Sequence, residues 1–154
     1  MEPLPSKNGK AATELCNQKL LLEEANTHGS YVGQQSNPYQ RLEFVGDVVL
    51  GLVVSDYLYE MCPHIDSDDL TALRSANVSN EKLPCMSVDL SLYRFLRHNS
   101  PSLDQAFTYQ VTMEEAEENE EKGSILKARL VLADMVESIA AAVYRDCNSN
   151  LKSD

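Results

Sequence analysis

The chain lacks any run of apolar residues long enough to cross a membrane. Its longest such run, residues 48–54, is seven residues long, whereas a membrane-spanning helix needs about 20. The first twelve residues, MEPLPSKNGKAA, have neither the apolar core of a signal peptide nor the arginines of a transit peptide. We therefore expect a disordered segment over residues 1–12 and an intracellular protein without a membrane partner. Nucleus and cytoplasm both fit, and an organelle stays open.

Cysteines are few and have no paired spacing. Cys16, Cys62, Cys85 and Cys147 are scattered along the chain, and the sequence contains no Cys-x-x-Cys motif. This pattern argues against a zinc site and against a disulfide framework, because both normally show closely spaced or regularly paired cysteines. We expect the thiols to be reduced, as is typical of an intracellular protein.

Basic residues are scarce relative to acidic ones. Lysine and arginine number 13 against 24 aspartates and glutamates, which gives a formal net charge of −11 at pH 7. This is the wrong sign for direct contacts with nucleic-acid phosphates. Six of the negative charges are glutamates within residues 114–121, which we interpret as a solvated loop or helix end without chemistry of its own.

The period-two alternation of a half-buried strand is also absent, and no internal repeat is visible. Two long stretches are instead apolar in the manner of buried helices. With 154 residues, the chain is long enough for one domain with its own core. These features predict an all-α domain over residues 13–148, followed by a polar tail over residues 149–154.

The stretch that organises the chain is YQRLEFVGDVVLGLVVSDYL, residues 39–58. It is apolar on most sides, which predicts a helix in the middle of the core. Glu43 and Asp47 lie inside it, and their spacing of four residues places both carboxylates on one side. Buried carboxylates need a partner, and a cation is the simplest one. The alternative is that both lie on a thin solvated stripe.

A second acidic pair, Asp134 and Glu137, lies in the apolar stretch ILKARLVLADMVESIAAAVYRD, residues 125–146. Their spacing of three residues again places them on one helix face. If the two helices pack side by side, four carboxylates converge on one spot. Four hard oxygen donors suit Mg²⁺ or Mn²⁺ rather than zinc. Without a cation such a cluster repels itself, unless some of its pKa values are raised.

Four segments together carry a resemblance to a known family. RLEFVGDVVLGLVV resembles the signature of the ribonuclease III family, and THGSY resembles the segment before it. DLTALRSANVSNEKL and VLADMVESIAAAVY resemble the later blocks, in the right order. The match covers roughly residues 20–148 and looks most like the plant ribonuclease III-like proteins. The resemblance implies a ribonuclease III endonuclease domain, a homodimeric helical bundle around the signature helix.

The resemblance also implies a function. It is that of a double-stranded-RNA-specific endoribonuclease that acts in RNA processing and leaves 5′-phosphate and 3′-hydroxyl ends. The implied cofactor is Mg²⁺, for which Mn²⁺ substitutes. The implied metal ligands are Glu43, Asp47, Asp134 and Glu137, and the implied catalytic residues among them are Asp47 and Glu137.

Three further residues have open interpretations. Phe44 is predicted to be a core residue from its pattern alone, whereas the resemblance implies that it inserts into a partner subunit at the dimer interface. Arg74 is a candidate RNA contact, with an exposed surface arginine as the equal alternative. His28, within THGS, is predicted to pack or cap locally rather than to act as a catalytic base.

Two positions depart from the family pattern. The family often carries a glutamate where this chain has Gln40, and an acidic residue at or next to Ser67. Gln40 is predicted instead to complete a capping box with Asn37, ahead of Pro38 at the first helical position. Together with the short N-terminus and the acidic surface, these departures favour the alternative function, a catalytically weak or inactive dimerisation or RNA–protein scaffold.

The net charge leaves the RNA interpretation open. The glutamate run accounts for six negative charges and the four proposed ligands for four, so the rest of the chain carries a net charge of −1. A cleft filled by divalent ions then need not repel RNA, although it attracts RNA only weakly. We therefore expect a companion double-stranded-RNA-binding domain or protein to supply affinity.

Overall fold

The structure is a computed structural model that describes residues 17–33, 38–110 and 121–147. These residues form helices joined by turns and contain no strand, which confirms the predicted all-α class. The elements are α1 (17–25), α2 (Gln40–Met61), α3 (Ser67–Asn77), α4 (Lys82–Asp89), a 3₁₀ turn (Leu92–Phe95), α5 (Pro101–Gln110) and α6 (Glu121–Asp146). The predicted disordered segment, the polar tail and nearly all of the glutamate run lie outside the described residues.

Helix α6 lies at the centre of the domain and packs against α2, α4 and α5. Leu132 and Met135 are fully buried and share one cluster with Leu103 and Phe107 of α5. Tyr39, which directly precedes α2, belongs to the same cluster. Burying each such side chain contributes about 1.5–3 kcal/mol, so this cluster fixes α5 and the start of α2 against α6.

Helices α2 and α6 touch backbone to backbone at Gly46. A Cβ atom built on Gly46 would overlap the main-chain carbonyl of Glu137 and lie 2.9 Å from the Cα atom of Glu137. Only glycine allows this approach, because any other residue would place its Cβ atom on the backbone of α6. Gly51 is different, because a Cβ atom there would meet nothing within 4 Å.

The outer face of α2 is apolar and uncovered in the single chain. Phe44 is 77% exposed, Val48 64% and Leu52 52%, and their spacing of four residues puts them on one face. The predictions that α2 is surrounded by core and that Phe44 is a core residue are therefore wrong for the isolated chain. The reason is that the neighbouring helices cover one side of α2 only. The buried residues of α2 are Leu42, Gly46, Val49 and Leu58.

The start of α2 differs from the prediction. Helix α2 begins at Gln40 rather than at Pro38, because the amide of Tyr39 bonds the carbonyl of Thr27 and the carbonyl of Tyr39 accepts the first helical bonds. The predicted cap Asn37 lies outside the described residues. Helix α3 is capped by Asp66, whose carboxylate accepts from the amides of Asp68 and Asp69.

No helix among the described ranges is long and apolar enough to span a bilayer. Helix α6 has 26 residues and α2 has 22, and α2 carries Glu43, Asp47, Asp56 and Glu60 along its length.

The crossing at Gly46 generates a stability prediction. We expect Gly46→Ala to lower the free energy of unfolding by about 3 kcal/mol or more, because the new methyl group meets backbone atoms that cannot rotate away. Urea unfolding of the metal-free protein, followed by circular dichroism, measures the change. The matched control is Gly51→Ala in the same helix, which is expected to stabilise by about 0.5–1 kcal/mol. Equal effects at the two glycines would contradict the close crossing.

Candidate metal centre

Three carboxylates from two helices converge beside the α2–α6 crossing. One oxygen each from Glu43, Asp134 and Glu137 can be chosen so that all three atoms lie within 4.8 Å of one another. Glu43 lies one helical turn before Gly46 on α2, and Glu137 is the residue whose backbone meets Gly46. The close crossing of the two backbones is therefore what brings the side chains together.

Asp47, the fourth predicted ligand, lies in the same pocket but outside this group of three. Its side chain is exposed, whereas Glu43, Asp134 and Glu137 are partly buried. Asp47 is nevertheless close enough to Glu137 for its negative charge to raise the pKa of Glu137. Asp47 thus adds negative charge at the open side of the three-carboxylate group.

Burial raises the pKa values of the three carboxyl groups, and charge repulsion adds to this effect at Glu43 and Glu137. Burial first, and then the charges of Asp47, Asp134 and Glu43 in that order, raise the pKa of Glu137 from its ordinary 4.5 to about 7. Burial and then the charge of Asp134 raise the pKa of Glu43. Burial also raises the pKa of Asp134, while a hydrogen bond from Tyr39 opposes the increase. Ionisation of the three carboxyl groups therefore lowers the stability of the folded protein, and a bound cation would offset this loss.

Tyr39 is a site residue that the sequence interpretation missed. Its hydroxyl donates to Oδ2 of Asp134 over 2.9 Å, and only 2% of the residue is exposed. Burial, followed by the charge of Asp134, raises the pKa of the Tyr39 phenol, so it stays a proton donor. The one sequence signal is its position four residues before Glu43, which places it one turn ahead of a proposed ligand.

The carboxylates line an open pocket of about 680 Å³. Its walls include Phe44 of α2, Leu130 of α6 and the connection between α3 and α4. That connection contributes Val78, Ser79 and Asn80. Ser79 also supports the start of α4, because its hydroxyl accepts from the amide of Lys82 over 3.2 Å.

Arg74 lies apart from the carboxylates. It lines a shallower groove between α2 and α3, together with Leu52, Tyr59 and Leu70. This groove has a volume of about 360 Å³ and shares no residue with the carboxylate pocket.

His28 makes local contacts, as predicted. Its Nδ1 lies 2.8 Å from the Ser30 hydroxyl and accepts from the Ser30 amide over 3.1 Å. Its ring lies 5.9 Å from that of Tyr39, and burial lowers its pKa, with a smaller effect of His98 in the same direction. His28 therefore supports the turn ahead of α2 and is not part of the carboxylate group.

The donor set fits a divalent cation with hard-ligand preferences. Each of the three converging residues offers a carboxylate oxygen, and neither cysteine nor histidine belongs to the group. Such donors suit Mg²⁺ and Mn²⁺, which retain several waters and take one or a few carboxylates from the protein. The open pocket leaves space for those waters and for a substrate.

Comparison with known proteins supplies the family. The sequence-family model of the ribonuclease III domain matches residues 40–148 of this chain, which include the three converging carboxylates and Asp47. Ribonuclease 3-like protein 2 of Arabidopsis thaliana is 47% identical over 137 residues, covering 87% of this chain and 34% of that protein. Ribonuclease 3-like protein 2 of Oryza sativa subsp. japonica is 45% identical over 138 residues, covering 86% of this chain and 43% of that protein. The chain thus spans less than half the length of these two relatives.

Solved structures agree with the sequence comparison. The nuclease domain of ribonuclease III from Campylobacter jejuni matches with a TM-score of 0.64 at 28% identity, covering 85% of this chain and 78% of that one. A second structure of the same domain matches with a TM-score of 0.63 at 26% identity and covers 94% of this chain and 87% of that one. With the family model matched over most of the chain and the helical fold shared, this chain belongs to the ribonuclease III family.

Proposed function

We propose that this chain is the catalytic domain, over residues 13–148, of an endoribonuclease that cleaves double-stranded RNA with the help of Mg²⁺. The observation that carries the proposal is the convergence of Glu43, Asp134 and Glu137 in an open pocket. The convergence alone does not indicate a metal site, because acidic clusters are common on proteins without any metal. Family membership is what favours a metal site here. Mn²⁺ is expected to replace Mg²⁺, since both take oxygen donors in similar geometry.

Glu43, Asp134 and Glu137 would hold the ion, and Asp47 would approach it from the exposed side. When bound, a divalent ion supplies an activated water and neutralises charge on the phosphate. The water oxygen bonds to phosphorus, the bond to the 3′ oxygen breaks, and the 3′ oxygen leaves with a proton. In this reaction Asp47 would direct the attacking water, and Glu137 would take up its proton.

The substrate proposal follows from family membership and from the open shape of the pocket. A pocket that is open to solvent admits the backbone of an RNA duplex, and recognition then depends on A-form shape more than on sequence. Arg74, exposed in its separate groove, is a candidate for contact with a distant phosphate. Because the net charge of the chain is −11, we propose that a companion RNA-binding domain or protein supplies most of the affinity.

The uncovered face of α2 supports a homodimer. Phe44, Val48 and Leu52 form an exposed apolar row beside the carboxylate pocket, and such faces mark association sites. In the similar nuclease domain of ribonuclease III from Campylobacter jejuni, a flexible region is involved in dimer formation. In the proposed dimer, Phe44 enters the partner subunit and two carboxylate pockets act on the two strands.

The alternative function is a scaffold that keeps the fold without cleaving RNA. Gln40 and Ser67, which replace family acidic residues, favour it. A scaffold has no use for three repelling carboxylates, however, and the raised pKa of Glu137 shows that holding them together costs stability. The deciding experiment is incubation of the chain with long double-stranded RNA in Mg²⁺ and in EDTA. Cleavage in Mg²⁺ alone supports the nuclease, and intact RNA in both supports the scaffold.

A first prediction concerns the contribution of Glu137 to cleavage. We expect Glu137→Gln to slow cleavage of double-stranded RNA by about 100-fold or more, because the amide is a weaker ligand and no proton acceptor. A gel assay at fixed Mg²⁺ measures the rate. Glu60→Gln, an exposed position on the same α2 that carries Glu43, is the matched control and should cut at the wild-type rate. Wild-type cleavage by Glu137→Gln would remove Glu137 from the site.

A second prediction concerns the pH dependence of stability in EDTA. The pKa of Glu137 in the folded protein, about 7, exceeds the ordinary 4.5. Ionised Glu137 therefore lowers the free energy of unfolding by its full amount above pH 7, and this effect is absent below pH 4.5. We therefore expect Glu137→Gln to stabilise the metal-free protein by about 2 kcal/mol at pH 8, with the gain vanishing as the pH falls through this window. Urea unfolding at pH 8 and pH 4.5 measures it. A pH-independent change would contradict the raised pKa.

A third prediction concerns assembly. We expect Phe44→Ala to weaken dimerisation by about 2–4 kcal/mol, which is the usual effect of truncating a buried aromatic anchor. Sedimentation velocity over a range of protein concentrations measures the dissociation constant. The matched control is Phe95→Ala, which removes a comparably exposed aromatic ring from the 3₁₀ turn. The proposal fails if the wild-type chain sediments as a monomer at micromolar concentration, or if both variants dimerise equally.

A further inference from the structure

Tyr39 links the start of α2 to its surroundings through the main chain. Its amide donates to the carbonyl of Thr27 over 2.9 Å, which ties it to the turn after α1. Its carbonyl accepts from the amides of Leu42 at 2.8 Å and Glu43 at 2.9 Å. The backbone of Tyr39 therefore fixes the first turn of α2, from which the Glu43 side chain projects into the pocket.

The side chain of Tyr39 reaches across to α6. Its ring is packed in the core with Leu132 and Met135 of α6 and with Leu103 and Phe107 of α5, so its position is well determined. From this fixed ring the hydroxyl donates to Oδ2 of Asp134 over 2.9 Å. One residue thus holds a ligand of α2 through its backbone and a ligand of α6 through its hydroxyl.

The bond to Asp134 has a geometric consequence for ion binding. A carboxylate on a helix can rotate about two side-chain torsions, and repulsion from Glu43 and Glu137 favours rotation away from the group. A hydrogen bond to Oδ2 opposes that rotation and leaves Oδ1, with the remaining lone pairs of Oδ2, for an ion. Ligands that are oriented in this way bind metals more tightly than free ones.

We propose that Tyr39 is a positioning residue of the metal centre, whose hydroxyl orients Asp134 for ion binding while its carbonyl anchors the turn that carries Glu43. The proposal rests on the function proposed above. Tyr39 touches neither the ion nor the RNA in this role, because only 2% of the residue is exposed and it is not among the residues that line the open pocket.

The test replaces only the hydroxyl. Tyr39→Phe keeps the ring and all three main-chain hydrogen bonds, so we expect it to fold with the helical content of the wild type. We expect its dissociation constant for Mn²⁺, measured by calorimetry without RNA, to rise about tenfold, at the lower end of the usual effect of losing a partner of a metal ligand. Tyr93→Phe is the matched control, since Tyr93 packs against the same core cluster, whereas the hydroxyl that donates to Asp134 is that of Tyr39.

A kinetic measurement separates positioning from a purely structural role. In the cleavage assay we expect Tyr39→Phe to raise the Mg²⁺ concentration for half-maximal rate about tenfold, while the rate at saturating Mg²⁺ stays within about threefold of the wild type. If the Tyr39 hydroxyl served packing alone, Tyr39→Phe would lower the melting temperature and leave the Mg²⁺ concentration for half-maximal rate unchanged.

Each outcome is decisive. If the wild type binds Mn²⁺ and Tyr39→Phe binds it equally well, the positioning role is overturned and the proposed function stands. If the wild type binds no Mn²⁺, the metal centre fails and the role of Tyr39 fails with it. Loss of helical content in Tyr39→Phe would assign the hydroxyl to folding and would overturn its role as a positioning residue.

Discussion

The contact between the backbones of α2 and α6 at Gly46 is the constraint on which this molecule depends. Without a Cβ at Gly46, the carbonyl of Glu137 can lie directly against α2. Side chains one turn away on each helix are then neighbours, which brings Glu43, Asp134 and Glu137 within reach of a single ion. A residue with a side chain at this position would separate the helices and open the group.

The same crossing concentrates negative charge in a partly buried place. Burial and the neighbouring carboxylates raise the pKa of Glu137 to about 7 and also raise the pKa of Glu43. The domain therefore gives up stability at its site, as functional sites often do, and hydrogen bonding from Tyr39 offsets part of that loss at Asp134. A divalent cation would relieve the rest, which couples ion binding to the stability of the fold.

The position of α2 at one side of the domain has a second consequence. Helices α6 and α3 cover one side of α2 only. The apolar side chains of Phe44, Val48 and Leu52 on its other side are therefore exposed, next to the carboxylate pocket. Glu43 of the carboxylate group and the exposed apolar row thus lie on adjacent faces of one helix. In a symmetric pair built on this face, the geometry of the dimer would set the distance between the two pockets, and hence between the two cuts in a duplex.

The sequence by itself determined the helical class, the two acidic pairs and the family, because periodicity, spacing and contiguous motifs are local properties of the chain. Only the tertiary structure decided that three of the four carboxylates converge while Asp47 stays at the exposed rim, and that Tyr39 supports Asp134. It likewise decided that Phe44 is exposed. These outcomes depend on how α2 and α6 cross and on which side of α2 other helices cover, and no local pattern encodes either relation.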